Sequence, residues 1–179
     1  MRFLFIILIS LFPFAINAQI LTGLAAKWND DFSEWEIYTD DDEVQGDLTM
    51  TWQLQYDWSA FDYRIEEATG HIKMKWRDNP FEWEARGEHS VITARTRWPN
   101  DRREWRITNN DLTLHLKSKW GNNPNIWLVT NDEYGYFEMY MYYKNDFRDW
   151  VIIDELTAEI PLAMKMMLVF LVMNNSTPK

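Results

Sequence analysis

Residues 75–90, KWRDNPFEWEARGEHS, place Trp76 and Trp83 seven positions apart around a hexapeptide that contains Asp78, Asn79 and Pro80. Seven residues make two helical turns, which would align both indoles on one stripe. The same spacing also suits two strands folded back across a loop. The hexapeptide decides between them. Proline inside a helix costs about 3 kcal/mol, because it removes an amide donor and its ring clashes with the preceding turn. Asp and Asn bond their own backbone in turns. The stretch reads as a β-hairpin with an aromatic residue on each arm.

The frame returns along the chain. Trp28 and Trp35, Tyr56 and Tyr63, Trp76 and Trp83, Trp98 and Trp105, Trp120 and Trp127, and Tyr143 and Trp150 all share the seven-residue spacing. The copies step by 28, 20, 22, 22 and 23 residues, and the long first step holds the acidic loop TDDDEVQGD. A period near 22 marks a repeat architecture. The hexapeptides also hold Pro99, Pro124, Asn29, Asp30, Asn100, Asn122 and Asn123, so the turn reading extends to the other copies. If each loop takes the central residues of its hexapeptide, the twelve aromatics face one another across the hairpins and share one face. Lys27 would then oppose Glu36 and Lys75 would oppose Glu84, while Arg97 opposite Arg106 runs against that register.

Alternation supports strands. Leu48, Met50, Trp52, Leu54 and Tyr56 fall on one face, as do Ile72, Met74 and Trp76, and Leu112, Leu114, Leu116, Ser118 and Trp120. Thr49, Thr51, Gln53, Gln55, His71, Lys73, Lys75, Thr113, His115, Lys117 and Lys119 fall on the other. This period of two belongs to strands with one buried and one wet face. The expectation is an all-β, antiparallel meander of about twelve strands, curved or closed into a barrel. After it, IPLAMKMMLVFLVM (residues 160–173) is apolar on nearly all sides, with Lys165 its only charge. Its Met and Leu content and Pro161 at the start favour a helix packed on or inside the sheet, against a final buried strand.

The ends bound the domain. MRFLFIILISLFPFAINA (residues 1–18) has one arginine, an apolar run interrupted by Pro13 and a small-residue exit, the form of a secretory signal peptide. Residues 19–175 then form a single domain, and 176–179 a polar, frayed tail. Removing Arg2 leaves 17 of the 18 basic residues against 28 acidic ones, a balance of −11, which argues against nucleic acid as a partner. With no cysteine, stability rests on packing.

No nucleophile elbow, phosphate loop or zinc signature occurs, so no catalytic residue, metal ligand or cofactor is expected. His71 and His115 share a row on the polar face with Glu138, but a metal site would need distant strands brought together. His89 and the four carboxylates of TDDDE (residues 39–43) read as solvated surface. A transmembrane barrel is the competing architecture. Against it, the second strands lose their apolar face at Thr39, Glu67, Gly87, Asn109, Asn131 and Asp154.

The repeat KWxxDxxEWxI, the stretch FEMYMYYKNDFRDWVIIDEL and the closing PLAMKMMLVFLV resemble a set of secreted, Trp-rich hairpin-repeat proteins of Gram-negative bacteria. The resemblance implies export and a single domain. That group carries no assigned activity, so no functional residue transfers. The expectation is a periplasmic or secreted, non-enzymatic binding or structural module of the cell envelope or extracellular space. The polar-face row Lys27, Lys75, Arg97 and Lys119 would meet an anionic envelope glycan or a protein partner. The alternatives are a lipid or apolar-ligand carrier barrel and an outer-membrane β-barrel.

Overall fold

The computed structural model describes residues 19–41, 45–87, 90–121, 123–130 and 132–178. The signal-peptide expectation, Asp42 and Glu43 of the acidic loop, His89, Asn122, Asn131 and Lys179 lie outside them. Twelve strands follow in order: β1 (Leu21–Ala26), β2 (Glu34–Thr39), β3 (Gln45–Trp52), β4 (Asp57–Ile65), β5 (Ala68–Met74) and β6 (Glu82–Gly87); then β7 (Ser90–Trp98), β8 (Asp101–Thr108), β9 (Thr113–Trp120), β10 (Asn123–Val129), β11 (Gly135–Met141) and β12 (Asp149–Leu156). Each pairs antiparallel with its chain neighbours, and β1 closes on β12 through Leu24 opposite Trp150. Closure leaves no exposed sheet edge to template aggregation. One pole carries the six hexapeptide turns, and the other carries the intervening returns.

The inner face is apolar and the outer face polar. Along β9, Leu114, Leu116 and Ser118 are buried inside, while His115, Lys117 and Lys119 point out. A twelve-stranded barrel is too wide for its own side chains to fill. Helix α1 (Leu162–Ser176) fills it. Every residue from Ala163 to Asn174 is buried, so the helix has no wet face and must sit within the lumen. Its 15 residues span about 22 Å at 1.5 Å per residue. Phe170 packs on Trp83 at 4.7 Å and on Phe61 at 5.3 Å between ring centroids. Met164, Met166, Met167 and Met173 suit an irregular lumen, because an unbranched thioether adapts to gaps.

The glycines of the wall have a packing reason. Gly70 pairs with Tyr63 on one side and Gly87 on the other. A Cβ on Gly70 would stand 2.2 Å from the Tyr63 ring, and one on Gly87 would stand 2.2 Å from its hydroxyl. The tyrosine lies flat across two strands because neither carries a side chain there.

Five expectations need correction. The twelve aromatics do not share the apolar face. Trp35, Tyr63, Trp83, Trp105, Trp127 and Trp150 are buried, whereas Trp28, Tyr56, Trp76, Trp98, Trp120 and Tyr143 are 42–60% exposed. The register is displaced by two residues: Trp83 opposes Met74, Trp105 opposes Thr96, Trp127 opposes Ser118 and Trp150 opposes Met141. Lys27 therefore meets Glu34, not Glu36, and the Lys75 amide bonds the Glu82 carbonyl, not Glu84. The cause is the loop or a bulge beside it. Each of the five tryptophan copies has Asp or Asn four residues before its second aromatic: Asp31, Asn79, Asp101, Asn123 and Asp146. Each of these side chains accepts the amide two residues on. In the first, third and sixth copies the extra residues lie in a wide turn, whereas in the fourth and fifth the turn is tight, with Trp98 opposite Asp101 and Trp120 opposite Asn123, and the extra residues form a bulge on the second strand.

In the second copy the buried row stops at Met50. Trp52, Leu54 and Tyr56 swing outward through a 3-10 turn at Gln53–Gln55, and Trp58 is buried in their place. Asp154 does not end an apolar face; it points into the lumen at 0% exposure, paired with Lys165. Finally, residues 176 and 177 are not frayed. Ser176 and Thr177 are buried, and Ser176 Oγ accepts from Trp127 Nε1 and donates to the Pro124 carbonyl.

Candidate functional site, an aromatic crown and a basic wall

The five copies that end in a buried tryptophan share one tie at the hexapeptide pole. The buried tryptophan donates its indole N–H to the carbonyl three residues back: Trp35 to Phe32, Trp83 to Pro80, Trp105 to Arg102, Trp127 to Pro124 and Trp150 to Phe147, all at 2.7–3.0 Å. This ties the loop to the rim. In the third and fourth copies the residue before that tryptophan also binds the exposed aromatic. Trp76 Nε1 donates to Glu82 and Trp98 Nε1 to Glu104, both at 3.1 Å. The cation before the exposed indole stacks on it, Lys75 at 5.9 Å from the Trp76 ring and Arg97 at 5.5 Å from the Trp98 ring. The exposed planes are thus held by a carboxylate on one side and a cation on the other.

Around the closed sheet the exposed aromatics of the six copies form a crown. Trp28, Tyr56, Trp76, Trp98, Trp120 and Tyr143 ring one pole, with Trp52, Leu54 and Tyr142 exposed beside them. A soluble chain rarely leaves so much aromatic surface in water at one end without using it.

The row Lys27, Lys75, Arg97 and Lys119 sits on this rim, one residue before each exposed tryptophan. The fold brings Lys75, Arg97 and Lys119 to alternate neighbouring strand ends, after β5 and on β7 and β9. Lys27 follows β1, four strands from β5, so it does not join them. Three of the four hold carboxylates already: Lys27 with Glu34 at 3.2 Å, Arg97 with Glu104 at 3.6 Å and Lys119 with Glu138 at 3.3 Å.

Below the rim, charge is unevenly spread around the wall. Residues 73–119, which hold β6 to β9, carry eleven Lys and Arg against seven Asp and Glu, or +4, so the rest of the chain carries −14 of the total −10. An outer-face cleft of about 670 Å³ opens here, lined by Arg95, Arg97, Arg106, Thr113 and His115 among others. Burial, then Arg97 and Arg106 beside it, hold His115 below the ordinary imidazole value. The flank reading had placed Arg97 opposite Arg106; the shifted register puts Arg95 there instead.

The histidine row does not converge. His71 lies on β5 and bonds Asp62 at 2.7 Å, His115 lies on β9 and Glu138 on β11. Among the described residues no three His, Cys, Asp or Glu side chains cluster as a metal site. No described helix is long and apolar enough to cross a membrane. No protein-family model, curated protein or solved structure matches the chain.

Proposed function

We propose that this chain is an exported, non-enzymatic binding module of the cell envelope or extracellular space, and that its aromatic crown takes an anionic glycan. The observation that carries the reading is the ring of exposed aromatics, two of which, Trp76 and Trp98, are held between a carboxylate and a cation. A sugar ring presents a C–H face and an equatorial fringe of hydroxyls. A fixed indole plane meets the face, Glu82 or Glu104 accepts the hydroxyls, and Lys75 or Arg97 meets an acidic substituent. The two complete copies, 22 residues apart, and the other exposed aromatics give several weak contacts on one rim, which suits a polymer with repeating units.

Two features weigh against the alternatives. A carrier needs room for its ligand, and α1 occupies the lumen along its length. A transmembrane barrel turns apolar residues outward, whereas this outer wall presents Asp47, Asp62, Arg64, Arg86 and Lys117.

A glycan array and a cell-wall pulldown with the mature protein test the reading. Binding is expected to fall at least tenfold when Trp76, Trp98 and Trp120 are changed together to Ala, and to weaken on charge reversal of Lys75, Arg97 and Lys119. Unchanged binding in the tryptophan variant overturns it. Carbonate-washed fractionation tests the location; retention in the outer-membrane pellet would return the membrane barrel to first place.

A further inference from the structure

On the outer wall, Arg95 of β7 and Arg106 of β8 stand directly opposite each other in register. Directly opposed residues hold their Cβ atoms about 4.5–5.5 Å apart, and like charges in such a pair repel. The chain has acids to spare, 28 in all, yet neither arginine has an ion pair or a hydrogen bond within the described residues. Other wall arginines do: Arg64 holds Asp47, Arg86 holds Glu84 and Arg97 reaches Glu104.

The fold explains why this pair is left over. Glu82 stands opposite Arg95 in register, and Glu104 lies two residues before Arg106. Both carboxylates are drawn away to the rim, where they accept from the Trp76 and Trp98 indoles at 3.1 Å. The indoles therefore engage the carboxylates nearest this pair, although Glu82 still lines the cleft and Glu104 still lies near His115, and neither forms an ion pair with Arg95 or Arg106. On the far side of Arg106, its register partner is His115, another potential donor rather than an acid. Thr113 lies two residues along the same strand, in the same cleft.

We propose that Arg95 and Arg106 form an oxyanion site on the outer wall, filled by a sulfate or phosphate ester group. Two guanidinium forks on neighbouring strands present converging N–H donors to one tetrahedral group. Arg97 and His115 line the same cleft. The bound anion supplies the counter-charge that Glu82 and Glu104 do not. This deepens the glycan reading by placing the ligand's negative group below the crown, but it rests on different side chains.

Inorganic sulfate and inorganic phosphate are the first probes, followed by a sulfated disaccharide and a sugar monophosphate. Binding is followed by NMR of the arginine Nε–H and His115 signals, and stability by thermal unfolding at low ionic strength. The expected result is saturable binding in the wild type that weakens at least tenfold in Arg95→Gln/Arg106→Gln. Without anion, that variant should unfold at a higher temperature than the wild type, because the repulsion is gone. Lys144→Gln should bind as the wild type does. A preference for the sulfate or the phosphate arm supports the site and names its group. No saturable response to either, or a double variant that binds within twofold of the wild type, overturns it. Sulfate binding without glycan binding would leave this site standing and remove the crown reading.

Discussion

Replacing Lys165 with Met should be among the most damaging single changes in the chain. Lys165 projects from the first turn of α1 and donates to Asp154 Oδ2 of β12 at 2.8 Å and to the Gln19 carbonyl at 3.0 Å. Asp154 also accepts the Leu21 amide at 3.1 Å and the Leu156 amide at 3.3 Å. Both charged side chains are essentially inaccessible, at 1% and 0% exposure. The cluster thus ties the plug, the first strand and the last strand together where the barrel closes. Removing one partner of a buried ion pair strands the other charge and costs about 3–5 kcal/mol. In a domain of this size 1 kcal/mol moves Tm by roughly 2–4 °C, so Lys165→Met should lower Tm by roughly 6–20 °C. Asp154→Leu should do comparable harm. The double variant should be less damaged than the two losses combined, since no charge is then left unpaired, although the Leu21 and Leu156 amides still lose their acceptor. Urea unfolding followed by tryptophan fluorescence measures all three. Single changes that cost under about 1 kcal/mol, or losses that simply add, would refute the view that this pair anchors the plug.

Three further outcomes are expected. Gly70→Ala should cost about 1–3 kcal/mol through collision with the Tyr63 ring, and most of that loss should vanish in a Tyr63→Leu background. Asn174, at 0% exposure near the crown end of α1, has neither amide atom hydrogen-bonded among the described residues, so Asn174→Leu should stabilise the protein by about 1–3 kcal/mol in chemical denaturation; a loss of stability would mean the amide has a partner. Hydrogen bonds from Arg103 hold Asp101 down to about 2, so its stabilising ionisation is present above the ordinary carboxylate value and is lost as pH falls from about 4 toward 2. An NMR titration of Asp101 should give that midpoint, and Arg103→Gln should return it toward the ordinary value.

The local hairpins and the apolar plug were legible in the chain itself. Pro80, Pro99 and Pro124 exclude helix across the hexapeptides, and two-residue alternation sorts Leu114 and Leu116 from His115 and Lys117 whatever the surroundings. Both are short-range effects, set by φ restriction and the pleat. The run at 160–173 is apolar all round, which requires enclosure but does not say by what. Closure of β1 on β12 joins residues more than a hundred positions apart, and no local pattern encodes it. The split of the twelve aromatics also had to wait for three dimensions. Seven residues put both members of a pair on one face only if the hairpin is regular, and wide turns in some copies and bulges in others shift the register by two. That shift carries Trp76 and Trp98 out to Glu82 and Glu104, and it leaves Arg95 facing Arg106. Asp154 and Lys165 read as a strand end and a stray charge until closure placed them together. Sequence determined which segments fold and which faces are wet, because those follow from nearest neighbours. The tertiary structure alone decided which side chains meet, because register and closure are settled by the packing of the whole barrel around its helix.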